Sequence, residues 1–496
     1  MCQVGSIMCS YNKINGVWSC ENPITLKDDL KNTSKFKGYV MSDWGATHST
    51  SIMQGLDVEM PSAKFMNPDK ITAGLKDKSI DQAAIDDAVY RILYAMFAVG
   101  VMDEPLSAWD WNKLKTNSTT EASVASSRRL SAASTVLLKN DQDILPLPTS
   151  GSHSYAVLGF ASDNAVVHGG GSGKVVPSYV ARPLDGVTLA AGADATVTYN
   201  DGTDLDAAAA LAADSDYAIV FVGTLSHEGK DRDSLSLDDG CRIDKGENQC
   251  IGNNDRQNEL ITRVAAVNPN TIVVASIPGA IVMPWSRHVN ISAILVNFLG
   301  GQQAGNAIAD VLFGLVNPSA RLPITLPNTE NDLNFSLAQW PGLPDPKKPE
   351  YANYTEQLLI GYRYYDAYQI DFTSGYPFGH GLSYTTFNYS QLVISSTDQT
   401  ITFDLENTGA VAGAEVAQVY LGFPAVAGEP PLQLKGFSKV NLEAGQKKTV
   451  TINLTARDLS IWNVIDHDFT VVKGDFQVQV GASSRDLRLN GILSSK

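Results

Sequence analysis

Apolar and polar positions follow three regimes along this chain of 496 residues. In the first, Val4–Tyr11 (VGSIMCSY) reads as a strand, Asn22–Lys31 as a helix, Tyr39–Ser42 as a strand and Gly55–Met60 as another short strand. Asp81–Gly100 then sets Ala84, Ile85, Val89, Ile92, Leu93 and Met96 at helical spacing and stops at a glycine. The middle regime opens with a helix at Glu121–Ala133 and a strand at Thr135–Leu138. Strand-like runs follow at Tyr155–Phe160, Thr196–Tyr199, Tyr217–Val222, Thr271–Ile277 and Ile294–Phe298, with helical runs at Leu205–Ala213, Arg256–Val267 and Gln303–Phe313. Such alternation predicts a mostly parallel sheet covered on both faces. The last regime has period two: Ile401/Phe403/Leu405, Val419/Leu421, Val450/Ile452/Leu454 and Phe476/Val478/Val480 alternate with mostly polar neighbours, the pattern of an antiparallel β-sandwich.

The length is too great for one core and fits about three domains. The divisions expected are 1–105, a linker at 106–120, 121–340, a connecting stretch at 341–384 that opens with the Pro-rich Pro341–Pro349, and 385–496. The formal charge of −16 argues against nucleic acid and anionic membrane surfaces as partners and favours a neutral substrate. No apolar run reaches the roughly 18–20 residues of a spanning helix, so no membrane partner is expected.

Two features point to secretion. Asn-x-Ser/Thr acceptor patterns begin at Asn32, Asn117, Asn290, Asn334, Asn353, Asn388 and Asn453, and local disulfides Cys9–Cys20 and Cys241–Cys250 fit the spacing, leaving Cys2 over. The first residues show neither a basic stretch nor a long apolar one, so no signal peptide is visible.

Chemistry concentrates at two strand ends. Tyr39-Val40-Met41 ends abruptly in Ser42-Asp43-Trp44-Gly45, delivering a carboxylate and an indole where parallel α/β sheets and barrels place their chemistry. An indole can stack on the apolar face of a pyranose while the carboxylate approaches the anomeric carbon; the alternative is an Asp that caps the next helix. Glu228, in Glu228-Gly229-Lys230-Asp231-Arg232, follows the most apolar strand of the middle regime; the alternative there is a surface ion pair with Arg232. Gly169-Gly170-Gly171-Ser172-Gly173 lacks the ending of a phosphate cradle and the spacing of a dinucleotide site, and reads as a tight loop whose backbone approaches the substrate. His380 has no Cys or His partner at metal spacing and reads as structural.

Met8-Cys9-Ser10-Tyr11-Asn12, Ser42-Asp43-Trp44-Gly45-Ala46 and Gly55-Leu56-Asp57-Val58-Glu59-Met60-Pro61, in this order and spacing, closely resemble the nucleophile region of glycoside hydrolase family three. The resemblance continues through Glu-Gly-x-Asp-Arg, Gly301–Gly314 and Tyr376–Tyr384 almost to the last residue. It implies the late strands of a βα-barrel, an α/β sandwich and a fibronectin-type-III-like domain, hence a chain that begins well past the middle of the barrel. The expectation is a shortened β-glucosidase working without metal or cofactor, or a catalytically impaired remnant acting as a binding protein. The resemblance makes Asp43 the nucleophile, Glu228 the acid/base, and Tyr11, Trp44 and Met8 substrate contacts, although Tyr11 and Met8 read equally well as core residues of one strand. A β-xylosidase or hexosaminidase is the alternative within the family, against which Trp44 speaks. The partners expected are a β-glucoside or oligosaccharide and a missing barrel half or second subunit. Retaining glycoside hydrolysis needs one ionised carboxylate and one protonated carboxyl, typically about 5–5.5 Å apart. A partly buried Glu228 facing an ionised Asp43 is expected to hold its proton through desolvation and like charge.

Overall fold

A computed structural model of the chain describes residues 4–105, 112, 116–229, 232–238, 241–243, 250–253, 256–340 and 351–496. Cys2, Lys230, Asp231 and the linker Pro341–Pro349 lie outside the described residues, as do the side chains of Cys241 and Cys250. Two units form: Met1–Thr116 with Ser460–Val471, and Asn117–Leu459 with Val472–Lys496.

In the first unit, Ser6–Cys9 and Tyr39–Ser42 pair in parallel with Cys9 opposite Ser42. Gly55–Met60, expected as a third strand, contributes only one parallel bridge, Met41 to Val58. Asp57 explains this. Its buried Oδ2 accepts the Val40 N–H at 2.7 Å while Oδ1 accepts from Lys31 Nζ at 2.7 Å, so a side chain sits where a strand would offer a carbonyl. Burial pushes the Asp57 carboxyl above its usual range, against the opposing pull of Lys31.

Asn22 starts the helix Ile24–Thr33 by accepting the Ile24 and Thr25 N–H groups on Oδ1. That helix has wide, π-type turns and closes with Ser34 N–H on the Asp29 carbonyl five residues back. Cys9, Cys20, Leu26, Val40, Ala46 and Leu56 form a core in which Cys9 and Cys20 are disulfide-bonded.

The helix Gln82–Ala98 forms where its periodicity predicts, but with a rotated face. Ala88 and Ala95 are buried, whereas Val89 and Leu93 are exposed. The rotation follows from Arg91, which lies on the buried stripe and donates to the Phe36 and Gly38 carbonyls and to Asp87. A polar residue counted as outward-facing is thus an inward anchor. A hairpin from much later in the chain completes the unit: Ser460–Asn463 pairs with Asp468–Val471, Trp462 packs against Phe469 at 4.8 Å, and His467 Nδ1 lies 2.9 Å from Asp29 Oδ1.

The second unit contains a six-stranded sheet in the order Val136–Asn140, Ile291–Asn297, Thr271–Ser276, Tyr217–Gly223, Ser154–Leu158, Thr196–Asn200. Five strands run parallel and the edge strand Val136–Asn140 runs antiparallel to its neighbour. Both faces are buried: Leu138, Val220, Val222, Val273 and Ile294 pack on one side, Leu137, Tyr155, Ile219, Phe221 and Val274 on the other. This is why these strands read as continuous apolar runs. One covering helix, Pro183–Ala191, is not signalled by the sequence pattern, although Pro183 at its first turn suits a helix start.

The C-terminal part of this unit is a sandwich of two antiparallel sheets. Phe387–Ser395, Thr400–Asn407 and Lys447–Asn453 form one; Gln433–Leu442, Gly413–Gly422, Gly474–Ser483 and Asp486–Ser495 form the other. The alternating residues Ile401, Phe403, Leu405, Val419, Leu421, Val450, Ile452, Leu454, Phe476, Val478 and Val480 are all buried, as period two requires. The sandwich is tied back by Arg321, buried against Glu415, whose Oε1 accepts from Tyr389 OH at 2.7 Å.

Of the seven Asn-x-Ser/Thr acceptors, six are exposed. Asn290 is half-buried and donates from Nδ2 to the Ala265 carbonyl at 2.8 Å. No described helix is long and apolar enough to cross a membrane.

Candidate active site

Asp43 directly follows the strand Tyr39–Ser42. Its backbone N–H donates to the Cys9 carbonyl at 3.1 Å, which extends the parallel register by one step and fixes where the carboxylate leaves the sheet. The Trp44 N–H donates to Asp43 Oδ1 at 2.7 Å. Among the described residues nothing donates to Oδ2, so one oxygen is oriented and the other left for a reacting carbon. The cap alternative does not hold, because the next helical turn, Ser51–Gln54, starts eight residues on from Asp43.

Trp44 is half-exposed, at 51% of its surface, and Tyr11 OH donates to the Trp44 carbonyl at 3.3 Å. The parallel register thus brings Tyr11, Asp43 and Trp44 to the same strand ends. Met8 lies one step back, opposite Met41, with 47% of its surface exposed. Tyr11 is 54% exposed, so neither it nor Met8 is buried by the described residues. Beside them Trp18 stacks on His48 at 3.8 Å with Lys13 Nζ 4.6 Å from its ring, a group the motif does not reveal.

Glu228 lies in the second unit, five residues beyond the buried strand Tyr217–Gly223. Its setting differs from the expectation. The side chain is exposed, and Oε2 accepts the Ser172 N–H at 2.5 Å. Hydrogen bonds from the Ser172 side chain and backbone hold the carboxyl below its usual range and outweigh the small effect of desolvation, so they favour its ionised form. Among the described residues no ion pair joins Arg232 to Glu228; Arg232 Nη2 donates to the Ala280 carbonyl at 2.6 Å. Ser172 and its glycine neighbours are what the sequence reading missed. The Gly169–Gly173 run was the available signal, read there as approaching substrate; here its backbone approaches Glu228.

A cavity of about 730 Å³ in the second unit is lined by Leu235, Trp340, Tyr354, Tyr362, Tyr365 and Phe378, among others. Of its three carboxylates, Glu330 accepts the Leu235 N–H, Asp332 accepts Tyr365 OH and Glu356 accepts from Gln339 Nε2 at 3.5 Å. His380 is half-buried and its Nε2–H donates to the Leu138 carbonyl, a packing role. Among the described residues no cluster of His, Cys, Asp or Glu could hold a metal ion.

Residues 135–384 match the glycosyl hydrolase family 3 C-terminal domain, and residues 415–484 match the fibronectin type III-like domain. A probable beta-glucosidase L of Neosartorya fischeri is 37% identical over 98% of this chain and 70% of its own length. Among solved structures, a beta-glucosidase from Chaetomella raphigera superposes with a TM-score of 0.87 at 31% identity, over 100% of this chain and 73% of that one. The beta-D-glucoside glucohydrolase from Trichoderma reesei does so with a TM-score of 0.86 at 34% identity, over 99% and 72%. With this coverage at both the family and the whole-chain level, the chain belongs to glycoside hydrolase family 3.

Proposed function

We propose that this chain is a β-glucosidase that removes terminal β-D-glucosyl residues with retention of configuration, using Asp43 as nucleophile and Glu228 as acid/base. The observation that carries the reading is the Asp43–Trp44 pair, a half-free carboxylate at a parallel strand end beside an exposed indole, in a chain whose relatives are named β-glucosidases. Asp43 Oδ2 attacks the anomeric carbon as the leaving oxygen takes a proton from Glu228; the same Glu then takes a proton from the water that releases glucose. Trp44, Tyr11 and Met8 face the sugar. The Ser172 bonds favour the ionised Glu228 of the second step, so the proton of the first step must be favoured by the bound substrate.

The first unit pairs two parallel strands and leaves Val89, Tyr90, Tyr94 and Phe97 of its long helix exposed. Further barrel strands, on the same polypeptide or a second subunit, are the partner proposed for it. The Cys9–Cys20 disulfide supports work in an oxidising, extracellular setting.

Release of nitrophenol from nitrophenyl β-glucoside by the 496-residue chain, with Asp43→Asn beside it, tests the reading. Turnover that falls by at least about a thousandfold in the variant is expected. Equal rates in both, or a preference for nitrophenyl β-xyloside or N-acetyl-β-glucosaminide, would replace it.

A further inference from the structure

The glycine run and the Glu228 loop are built against each other. Val166, just before the run, and Leu225, just before Glu228, form one small buried cluster, and a β-carbon on Gly223 would stand 2.8 Å from Val166 Cγ2. These anchors set the two loops in register. Gly170 N–H donates to the Ser226 carbonyl at 3.3 Å, and His227 Nδ1 lies 2.7 Å from the Glu228 carbonyl oxygen.

Side chains are excluded along this seam. A β-carbon on Gly170 would come within 2.0 Å of His227 Cδ2. One on Gly171 would lie 2.2 Å from Glu228 Cβ and 2.6 Å from Oε2, and Gly171 also has φ +81°, where L side chains are strained. Gly173 is different: a β-carbon there would meet nothing within 4 Å. Only the absence of side chains at 170 and 171 lets the Ser172 N–H reach Glu228 Oε2.

We propose that Gly170-Gly171-Ser172 is the positioning element of the acid/base: the Ser172 N–H fixes Oε2 as a permanent acceptor and leaves Oε1 as the oxygen that carries the catalytic proton. This rests on the reading of Glu228 as acid/base. In the first step the Oε1–H bond breaks as its proton passes to the leaving oxygen. In the second, Oε1 takes a proton from the attacking water, while the Ser172 bond stays in place throughout and favours the ionised form. The Ser172 N–H goes to Oε2, as this division of labour requires.

The test is a ¹³C NMR titration of the full chain labelled at the glutamate side-chain carboxyl, with the Glu228 signal assigned by its loss in Glu228→Gln. Glu228 is expected to titrate below the ordinary glutamate value of 4.5. Gly171→Ala, which adds the obstructing β-carbon, and Ser172→Pro, which removes both the Ser172 N–H and its hydroxyl, should each move the midpoint up into the ordinary range, whereas Ser172→Ala, which keeps the N–H, should move it less. Gly173→Ala should not move it. An unmoved midpoint in both Gly171→Ala and Ser172→Pro, with circular dichroism showing folded chains, overturns the proposal.

A separate arm tests the underlying role. Glu228→Ala given dinitrophenyl β-glucoside and azide should yield β-glucosyl azide. If azide restores nothing there, the acid/base role falls while the titration still judges the clamp. If azide does restore turnover, Gly171→Ala should lose at least about tenfold in kcat on alkyl β-glucosides and little on the dinitrophenyl substrate, whose leaving group needs no proton.

Discussion

The two proposed catalytic carboxylates are held by opposite means. Asp43 is oriented from within its own neighbourhood: the next residue supplies the N–H on Oδ1, the adjacent strand receives its backbone N–H, and a disulfide closes the segment beyond that strand. Glu228 is oriented by Ser172, 56 residues earlier, through a loop that must be nearly bare of side chains. A carboxylate fixed by its own strand keeps its place when distant parts of the fold change. One fixed by a remote loop is open to every change that moves the loop.

The sharpest way to set them apart is chemical. Asp43→Ala and Glu228→Ala should each lose about a hundredfold or more in turnover. With azide and an activated glucoside, Asp43→Ala should give the α-glucosyl azide by a single displacement, and Glu228→Ala the β-anomer by two. The same anomer from both variants would cancel the assignment of roles. Next in size is the buried pair Arg321–Glu415. Arg321→Ala leaves Glu415 and Tyr389 buried without their cation and should cost about 3–5 kcal/mol. Hydrogen exchange should report that loss in residues 117–459 and spare the strands around Asp43. The reciprocal cut, Cys9→Ser with Cys20→Ser, should cost about 2–3 kcal/mol, with faster exchange at Tyr39–Ser42 and slow exchange retained in Tyr217–Gly223.

The smallest effect concerns pH. Burial holds His380 below its ordinary 6.5, so the unfolded chain binds the proton more readily. Stability from this group is complete above that value and is lost as pH falls through the folded pKa, by at most about 1.4 kcal/mol for each pH unit below 6.5. His380→Phe should flatten the decline in Tm between pH 7 and about 5.5.

The same contrast explains what could be read in the sequence. Asp43 and Trp44 were legible because the strand, its abrupt end and the indole are contiguous. The sheet strands were legible because burial on both faces leaves unbroken apolar runs such as Tyr217–Val222. The role of the glycine run was not, since its meaning depends on which distant residue needs the space. Nor was the low carboxyl of Glu228, because burial was assumed for a group that turned out exposed. The rotated face of Gln82–Ala98 has a similar origin: Arg91 is polar by type, but its partners are carbonyls at Phe36 and Gly38, which spacing within the helix cannot disclose. Gly55–Met60 failed as a strand because of one side chain, Asp57, competing for a ladder N–H.

The hairpin Ser460–Val471 carries a consequence for biosynthesis. It belongs to the unit that holds Asp43, and His467 meets Asp29 across 438 positions of sequence. A ribosome finishes Thr116 long before it reaches Val471, an interval of roughly 20–70 s at ordinary elongation rates. Throughout that time the strands that present Asp43 are out of the exit tunnel without this hairpin, while the sheet around Glu228 is still being translated. A unit begun before the sheet around Glu228 is therefore finished only after it, and its yield in a cell depends on how well the nascent chain is shielded during that wait.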